Sequence, residues 1–115
     1  MPTDYPQLEL NVERDGPRVT VSLAGELDLA SAPHLLERLL PLGRRRAGEP
    51  PAEVLLDAGR LAFIDVAGLD ALIKVSAALN AAGGSLRLRR STALLDRMLT
   101  VLRLDHRFAP RRPPA

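Results

Sequence analysis

The sequence predicts a single α/β domain, with a mixed sheet of four to five strands, an N-terminal antiparallel hairpin and three main helices packed on the sheet. Residues 8–14 and 18–24 alternate apolar and polar side chains, as strands with one wet face do. After them, helical patterns alternate with short apolar runs in the order β-β-α-β-α-β-α-(β). This order calls for right-handed crossovers and a partly parallel sheet. The chain has 115 residues, enough for one modest core, which we assign to residues 8–108.

The segment Asp15-Gly16-Pro17 is expected to turn the chain between the two hairpin strands, because Gly and Pro favour tight turns. A first helix is expected to follow Ser31, which can cap it, with Pro33 tolerated in the first turn. Pro41 has no N–H to donate to the carbonyl of Glu37, so this helix should kink or stop near residue 40.

The second half of the predicted sheet begins at residues 53–58, whose continuous run Val54-Leu55-Leu56 is typical of a strand buried on both faces. A second helix is expected to follow Asp65 and to end near Ala82, where Gly83-Gly84 stops it. The inward stripe of this helix is predicted to be Leu69, Leu72, Ile73, Ser76 and Leu79.

Residues 85–89 predict the last main strand, and Ser91 or Thr92 is expected to cap a third helix. The core-facing residues of that helix are predicted to be Leu94, Leu95, Met98 and Leu99. Residues 106–108 could add a short last strand. Residues 1–7 and 109–115 are expected to be flexible termini.

The composition argues against several classes of function. The chain has no cysteine, which excludes disulfides, thiolate metal sites and a cysteine nucleophile, and agrees with a cytoplasmic protein. The net charge is only +2 and aromatic side chains are scarce, so no nucleic-acid surface is expected. No apolar run approaches the ~18 residues that a membrane span needs, so no membrane insertion is expected.

The sequence also offers no recognisable catalytic site. His34 and His106 are the only imidazoles, and no metal-ligand spacing or Gly-x-Ser-x-Gly nucleophile elbow occurs. A receiver-like phosphoacceptor aspartate would need a lysine near the last strand, whereas the sole lysine, Lys74, lies inside the second predicted helix. We therefore expect no catalytic residue, no metal and no cofactor.

Three segments carry a resemblance to a known family. They are residues 25–33 (Gly-Glu-Leu-Asp-Leu-Ala-Ser-Ala-Pro), the pair 54–57 and 63–69, and residues 82–88 with the helix after them. In this order and spacing the chain resembles the STAS domain family (sulfate transporter and anti-sigma factor antagonist) over residues 8–108. Within that family it is most similar to the small anti-anti-sigma factors of bacteria.

In that family the loop at Asp65 typically reads Asp-Ser-Ser-Gly or Asp-Ser-Thr-Gly, and an anti-sigma factor that is also a kinase phosphorylates the second hydroxyl residue. The resemblance implies that the unmodified protein binds the anti-sigma factor and that the phosphoprotein releases it. In this chain the acceptor position falls on Ala67 and the neighbouring hydroxyl position on Val66. Neither side chain has an oxygen to modify, so we expect the usual switch to be absent.

The resemblance implies a partner, an anti-sigma factor of the histidine-kinase-like ATPase fold, docked at the rim that follows the strands. The predicted partner-binding residues are Asp28, Asp57, Asp65, Val66, Ala67, Gly68 and Leu69. A docking face along the second helix is expected to comprise Val66, Ala67, Ala71, Val75 and Ala78. Asp65 is also expected to cap that helix, and Phe63 to fill the core.

A second function remains open from the sequence: a STAS subunit of a lipid-transport complex or signalling assembly, which would bind a non-sigma partner through the same face. Under either hypothesis the expected protein is a non-enzymatic binding module in the cytoplasm. We expect it to be a monomer or a weak dimer.

Overall fold

The computed structural model describes residues 7–44 and 47–108. Its single sheet has four strands in the spatial order β1 (Leu8–Asp15), β2 (Arg18–Leu27), β3 (Glu53–Ile64) and β4 (Ser85–Arg90). β1 is antiparallel to β2, whereas β2, β3 and β4 are mutually parallel. Three helices follow β2, β3 and β4 in turn: α1 (Ala32–Leu39), α2 (Val66–Ala81) and α3 (Ala93–Val101). The predicted fold class is confirmed.

The hairpin forms where the alternation predicted it. Asp15 pairs with Arg18, so Gly16 and Pro17 make a two-residue turn. Gly16 has a φ of +62°, the left-handed value that a tight hairpin turn requires and that glycine adopts without strain.

The core lies between the helices and one face of the sheet. Every second residue is buried from Val19 to Leu23 in β2 and from Val54 to Ala58 in β3, and these side chains belong to the core. The residues between them are exposed or half-buried, and no helix of the described part covers them. The expectation that β3 is buried on both faces is therefore wrong, because all crossovers lie on one side of the sheet.

The helix ends agree with most of the predicted signals. α1 stops at Leu39 and a short 3₁₀ helix over Leu40–Gly43 takes in Pro41, as expected for a residue without an N–H. The carboxylate of Asp65 accepts from the N–H of Gly68 at the start of α2.

The third helix confirms one cap and corrects the predicted core face. Thr92 caps α3, with its Oγ1 accepting from the N–H of Leu95. Leu95 and Leu99 are buried, but Leu94 is exposed and Met98 is half-buried. The buried stripe of α3 is therefore narrower than the sequence predicted, with only Leu95 and Leu99 of the four expected residues fully buried.

Two further expectations about the fold are wrong or untested. Residues 105–108 form a short 3₁₀ helix instead of a fifth strand, and Phe108 packs into the core. The predicted flexible termini fall outside the described residues, except for residue 7.

Candidate protein-docking site

Two loops meet at the carboxyl ends of the parallel strands β2 and β3. One is the turn 28–31 between β2 and α1, and the other is the single residue Asp65 between β3 and α2. In α/β sheets this end of the strands is where ligands and partners meet the domain.

Asp65 joins the two loops through both carboxylate oxygens. Its Oδ1 accepts from the N–H of Gly68 at 2.8 Å, which caps α2, and its Oδ2 accepts from the N–H of Leu29 at 3.2 Å. Its own N–H donates to the carbonyl of Leu27 at 3.2 Å. The expected cap is confirmed, and the same side chain also fixes the neighbouring loop, which the sequence did not predict.

Asp28 organises the turn before α1 together with Ser31. The carboxylate of Asp28 accepts from the N–H groups of Ala30 and Ser31, both at 3.0 Å. Ser31 is buried, and its hydroxyl donates to the carbonyl of Glu26 at 2.7 Å and accepts from the N–H of Asp28 at 2.9 Å. The Ser31 hydroxyl therefore braces the turn instead of capping α1, which corrects the sequence prediction.

Gly68 lets α2 begin directly against the end of β2. A Cβ at this position would overlap the carbonyl oxygen of Leu27 and lie 2.8 Å from its carbonyl carbon. Leu69, next in the helix, is 1% exposed and belongs to the core. Gly68 and Leu69 therefore hold the rim in place, and in the free chain they present no side chain to a partner.

The exposed part of the rim is apolar. Leu29 is 75% exposed, Val66 68% and Phe63 45%. Phe63 and Val66 lie within two positions of Asp65 in the chain, and the N–H of Leu29 donates to the carboxylate of Asp65. We call Leu29, Phe63 and Val66, together with Asp28 and Asp65, the rim surface. Isolated apolar side chains are normal on a protein surface, but a cluster at the ligand end of a sheet indicates a docking site.

The expectation that Phe63 fills the core is wrong, and the strand register shows why. Gly25 pairs with Leu61 and Glu26 with Phe63, so Ala62 is an extra residue without a partner on β2. A bulge of this kind reverses which side chains face the core. Phe63 therefore turns outward, while Ile64 returns to the core at 2% exposed.

Asp57 lies apart from the rim. β3 continues to Ile64, so Asp57 is a mid-strand residue whose Oδ1 accepts from the N–H of Gly59 at 3.0 Å. It pairs in register with Ser22 of β2 and Arg90 of β4, on the sheet face away from the helices. The expectation that this strand ends at residue 58 is wrong, because the sequence gives no sign that the strand passes through Gly59-Arg60.

The expected docking face along α2 is also corrected. Ala71 and Val75 are 2% and 0% exposed, so they belong to the core. Ala67 is half-buried, and only Val66 of this set is an exposed large apolar residue. α2 packs against both α1 and β4, so its buried surface is wider than one stripe.

Other kinds of site find little support in the part of the chain described. Among residues 7–44 and 47–108 there is no group of His, Cys, Asp and Glu side chains arranged to hold a metal ion. Within the same ranges no helix has the length and apolar content that crossing a bilayer requires.

The comparisons with known proteins agree with the fold. A family model described as "Mlab, STAS domain" matches residues 10–110, so the chain belongs to the STAS domain family. It is similar to the anti-sigma-B factor antagonist of Bacillus subtilis (strain 168), with 28% identity over 94 residues and 82% of both chains covered.

Solved structures resemble the chain over most of its length. An anti-sigma factor antagonist from Mycobacterium paratuberculosis matches with a TM-score of 0.75 at 22% identity, covering 95% of this chain and 89% of that one. The Bacillus cell fate determinant SpoIIAA in its phosphorylated form matches with a TM-score of 0.68 at 17% identity, covering 90% and 92%. At these identities the two structures establish the fold alone.

Proposed function

We propose that this chain is an anti-sigma factor antagonist-like regulator, which binds an anti-sigma factor of the histidine-kinase-like ATPase fold through the rim surface. The proposed activity is binding without catalysis, in the cytoplasm. The observation that carries the proposal is the cluster of exposed apolar side chains, Leu29, Phe63 and Val66, around a carboxylate that ties two loops together. A rigid apolar surface loses little conformational entropy on docking, which favours affinity.

The partner-binding set predicted from the sequence divides into two roles in this proposal. Val66 and Ala67 contact the partner, together with Asp28, Asp65 and the newly recognised Leu29 and Phe63. Gly68 and Leu69 support the surface from beneath. Asp57 would contribute only if the interface extends onto the sheet.

We further propose that the domain is not released by phosphorylation in this loop. Positions 66 and 67 are Val and Ala, and no Ser or Thr occurs between Ser31 and Ser76. A phosphate there would add about −1.5 to −2 charges beside the carboxylate of Asp65, enough to break a docked apolar interface. Without a hydroxyl, the bound state persists until another signal acts or the partner is degraded.

The test compares two matched valine substitutions. Val66 at the rim is 68% exposed and Val101 at the end of α3 is 71% exposed, so glutamate at either position remains in solvent. Binding to the anti-sigma factors of the source genome is measured by titration calorimetry. We expect Val66→Glu to weaken binding by about tenfold or more, as expected for a buried contact at an interface centre, and Val101→Glu to leave it unchanged.

Two results would contradict the proposal: equal binding by both variants, or no binding of any anti-sigma factor by the unmodified chain. The missing switch is tested separately with an anti-sigma kinase and labelled ATP. Ala67→Ser should accept phosphate and lose the partner, whereas the natural chain should remain unlabelled between residues 32 and 75. Labelling of the natural chain in that segment would refute the missing switch.

A second candidate function is a STAS subunit of a lipid-transport complex or signalling assembly. The observation that favours it is the presence of Val66 and Ala67 at the positions where a release switch would need a hydroxyl, because a permanent subunit has no need of release. A permease gene beside this one, and co-purification with the permease, would support this function. A neighbouring gene for an anti-sigma kinase would support the first function, binding of an anti-sigma factor.

A further inference from the structure

Among residues 7–44 and 47–108 no helix covers the second face of the sheet, which carries opposite charges at its two edges. We call it the open face. Glu9 and Glu13 project from the edge strand β1, and Arg87 and Arg90 from the edge strand β4. Glu9, Asn11, Ser22, Asp57, Arg60 and Arg90 line one shallow depression there, of about 310 Å³.

The strand register places the charges in rows that cross the sheet. Glu13 pairs with Thr20, Thr20 with Leu55, and Leu55 with Arg87. Paired residues of neighbouring strands point to the same face, so these four side chains form one row with an acid at one end and a base at the other.

The two ends of this row cannot meet within one chain. Three strand spacings of about 4.8 Å separate Glu13 from Arg87, roughly 14 Å in all. The ion pair between Asp70 and Lys74 on α2 involves neither of them. Both side chains are exposed, so each is available to a second molecule.

We propose that a second copy of this chain covers the open face, forming a dimer whose two-fold axis runs parallel to the strands. That rotation brings β1 of one copy over β4 of the other and keeps each row at its own level. Glu13 of each copy then meets Arg87 of its partner, twice in the dimer. A two-fold axis across the strands would instead bring β1 over β1, where the acids repel.

A neighbouring row supports the same axis. Arg18 of β2 pairs in register with Glu53 of β3, and both side chains are exposed. The proposed rotation lays β2 over β3 of the other copy, so Arg18 also meets Glu53 of the second molecule. The row beyond Glu13 and Arg87 also brings no like charges together, because Asn11 falls opposite Arg90 and Ser22 opposite Asp57.

The middle of the face allows the two sheets to approach. Four of its central side chains are short or apolar, namely Thr20, Ser22, Ala24 and Leu55, whereas Asp57 and Arg60 of β3 are charged. Facing sheets pack about 10 Å apart, a gap that the longer Glu and Arg side chains at the edges can span. Charged and polar side chains both at the edges and in the middle of this interface predict weak, salt-sensitive association.

The test uses charge reversal at Glu13 and Arg87, measured by sedimentation equilibrium. The natural chain should dimerise at low salt and dissociate as the ionic strength approaches about 1 M, where the screening length falls to about 3 Å. Glu13→Arg or Arg87→Glu alone should weaken self-association by about tenfold, because two attractive pairs become repulsive. Both residues are exposed on edge strands, so circular dichroism should show an unchanged fold.

The decisive arm mixes the two single variants. In the proposed geometry each variant repels itself, but together they restore both Glu–Arg pairs and should form a heterodimer. The matched control uses Glu37→Arg and Arg97→Glu, exposed positions on α1 and α3 that should change nothing. A monomer at all concentrations, a dimer indifferent to the reversals, or a mixture that fails to associate would each overturn the proposal. None of these measurements involves an anti-sigma factor, so their outcomes are separate from the test of the rim surface.

Discussion

Replacing Asp65 tests whether one carboxylate both caps a helix and fixes the neighbouring loop. Asp65→Ala removes the 2.8 Å bond to the N–H of Gly68 and the 3.2 Å bond to the N–H of Leu29. A lost N-cap costs about 1 kcal/mol, and a lost hydrogen bond to a loop amide costs about 0.5–1.5 kcal/mol. The free energy of unfolding should therefore fall by about 2 kcal/mol, or roughly 8 °C in Tm for a domain of this size.

The comparison with other variants separates the two bonds. Asn is as good an N-cap as Asp, but its one amide oxygen can serve only one of the two amides, so Asp65→Asn should cost about half as much as alanine. Thr92→Ala is the matched control, because Thr92 makes one capping bond, at 3.2 Å to the N–H of Leu95. It too should cost about 1 kcal/mol.

Urea unfolding gives the free energies, and amide hydrogen exchange locates the loop bond. Protection of the Leu29 amide should fall in Asp65→Ala and remain unchanged in Thr92→Ala. If Asp65→Ala costs no more than Thr92→Ala, or if the Leu29 amide keeps its protection, then the carboxylate does not hold the two loops together.

Two further substitutions test the packing beneath the rim. Gly68→Ala should lower the free energy of unfolding by about 1–3 kcal/mol, because the added Cβ overlaps the backbone of Leu27. Helix propensity alone would instead raise it by about 1 kcal/mol. The sign of the change, measured by calorimetry, therefore decides between the two effects. Ser31→Ala should lower the free energy of unfolding by about 1–3 kcal/mol, because the N–H of Asp28 and the carbonyl of Glu26 lose their hydrogen bonds to the Ser31 hydroxyl. Ser91→Ala is its control, since Ser91 makes one bond of 3.4 Å, and equal urea midpoints for the two serine variants would contradict the bracing role.

Much of the fold followed from patterns along the chain. Alternation predicted the hairpin, Pro41 predicted the end of α1, and Gly83-Gly84 predicted the end of α2. Each of these signals is local, because it depends on the φ range, the missing N–H or the two-residue period of nearby side chains.

The site was predicted less completely, because it depends on long-range register. A bulge at Ala62 decides that Phe63 faces outward, and alternation cannot be counted through a bulge. The continuation of β3 beyond Gly59 removes Asp57 from the rim, and it depends on pairing with β2. The role of Leu29 becomes visible only through its hydrogen bond to a residue 36 positions away.

The sequence by itself determined the order of the four strands and three helices, the resemblance to the STAS family and the absence of a hydroxyl at positions 66 and 67. Those properties belong to single residues or to their immediate neighbours. Only the tertiary structure decided which apolar side chains remain exposed and which charges share a face. The reason is physical: burial and facing are set by how strands pair and helices pack across the whole domain, so no local pattern contains them.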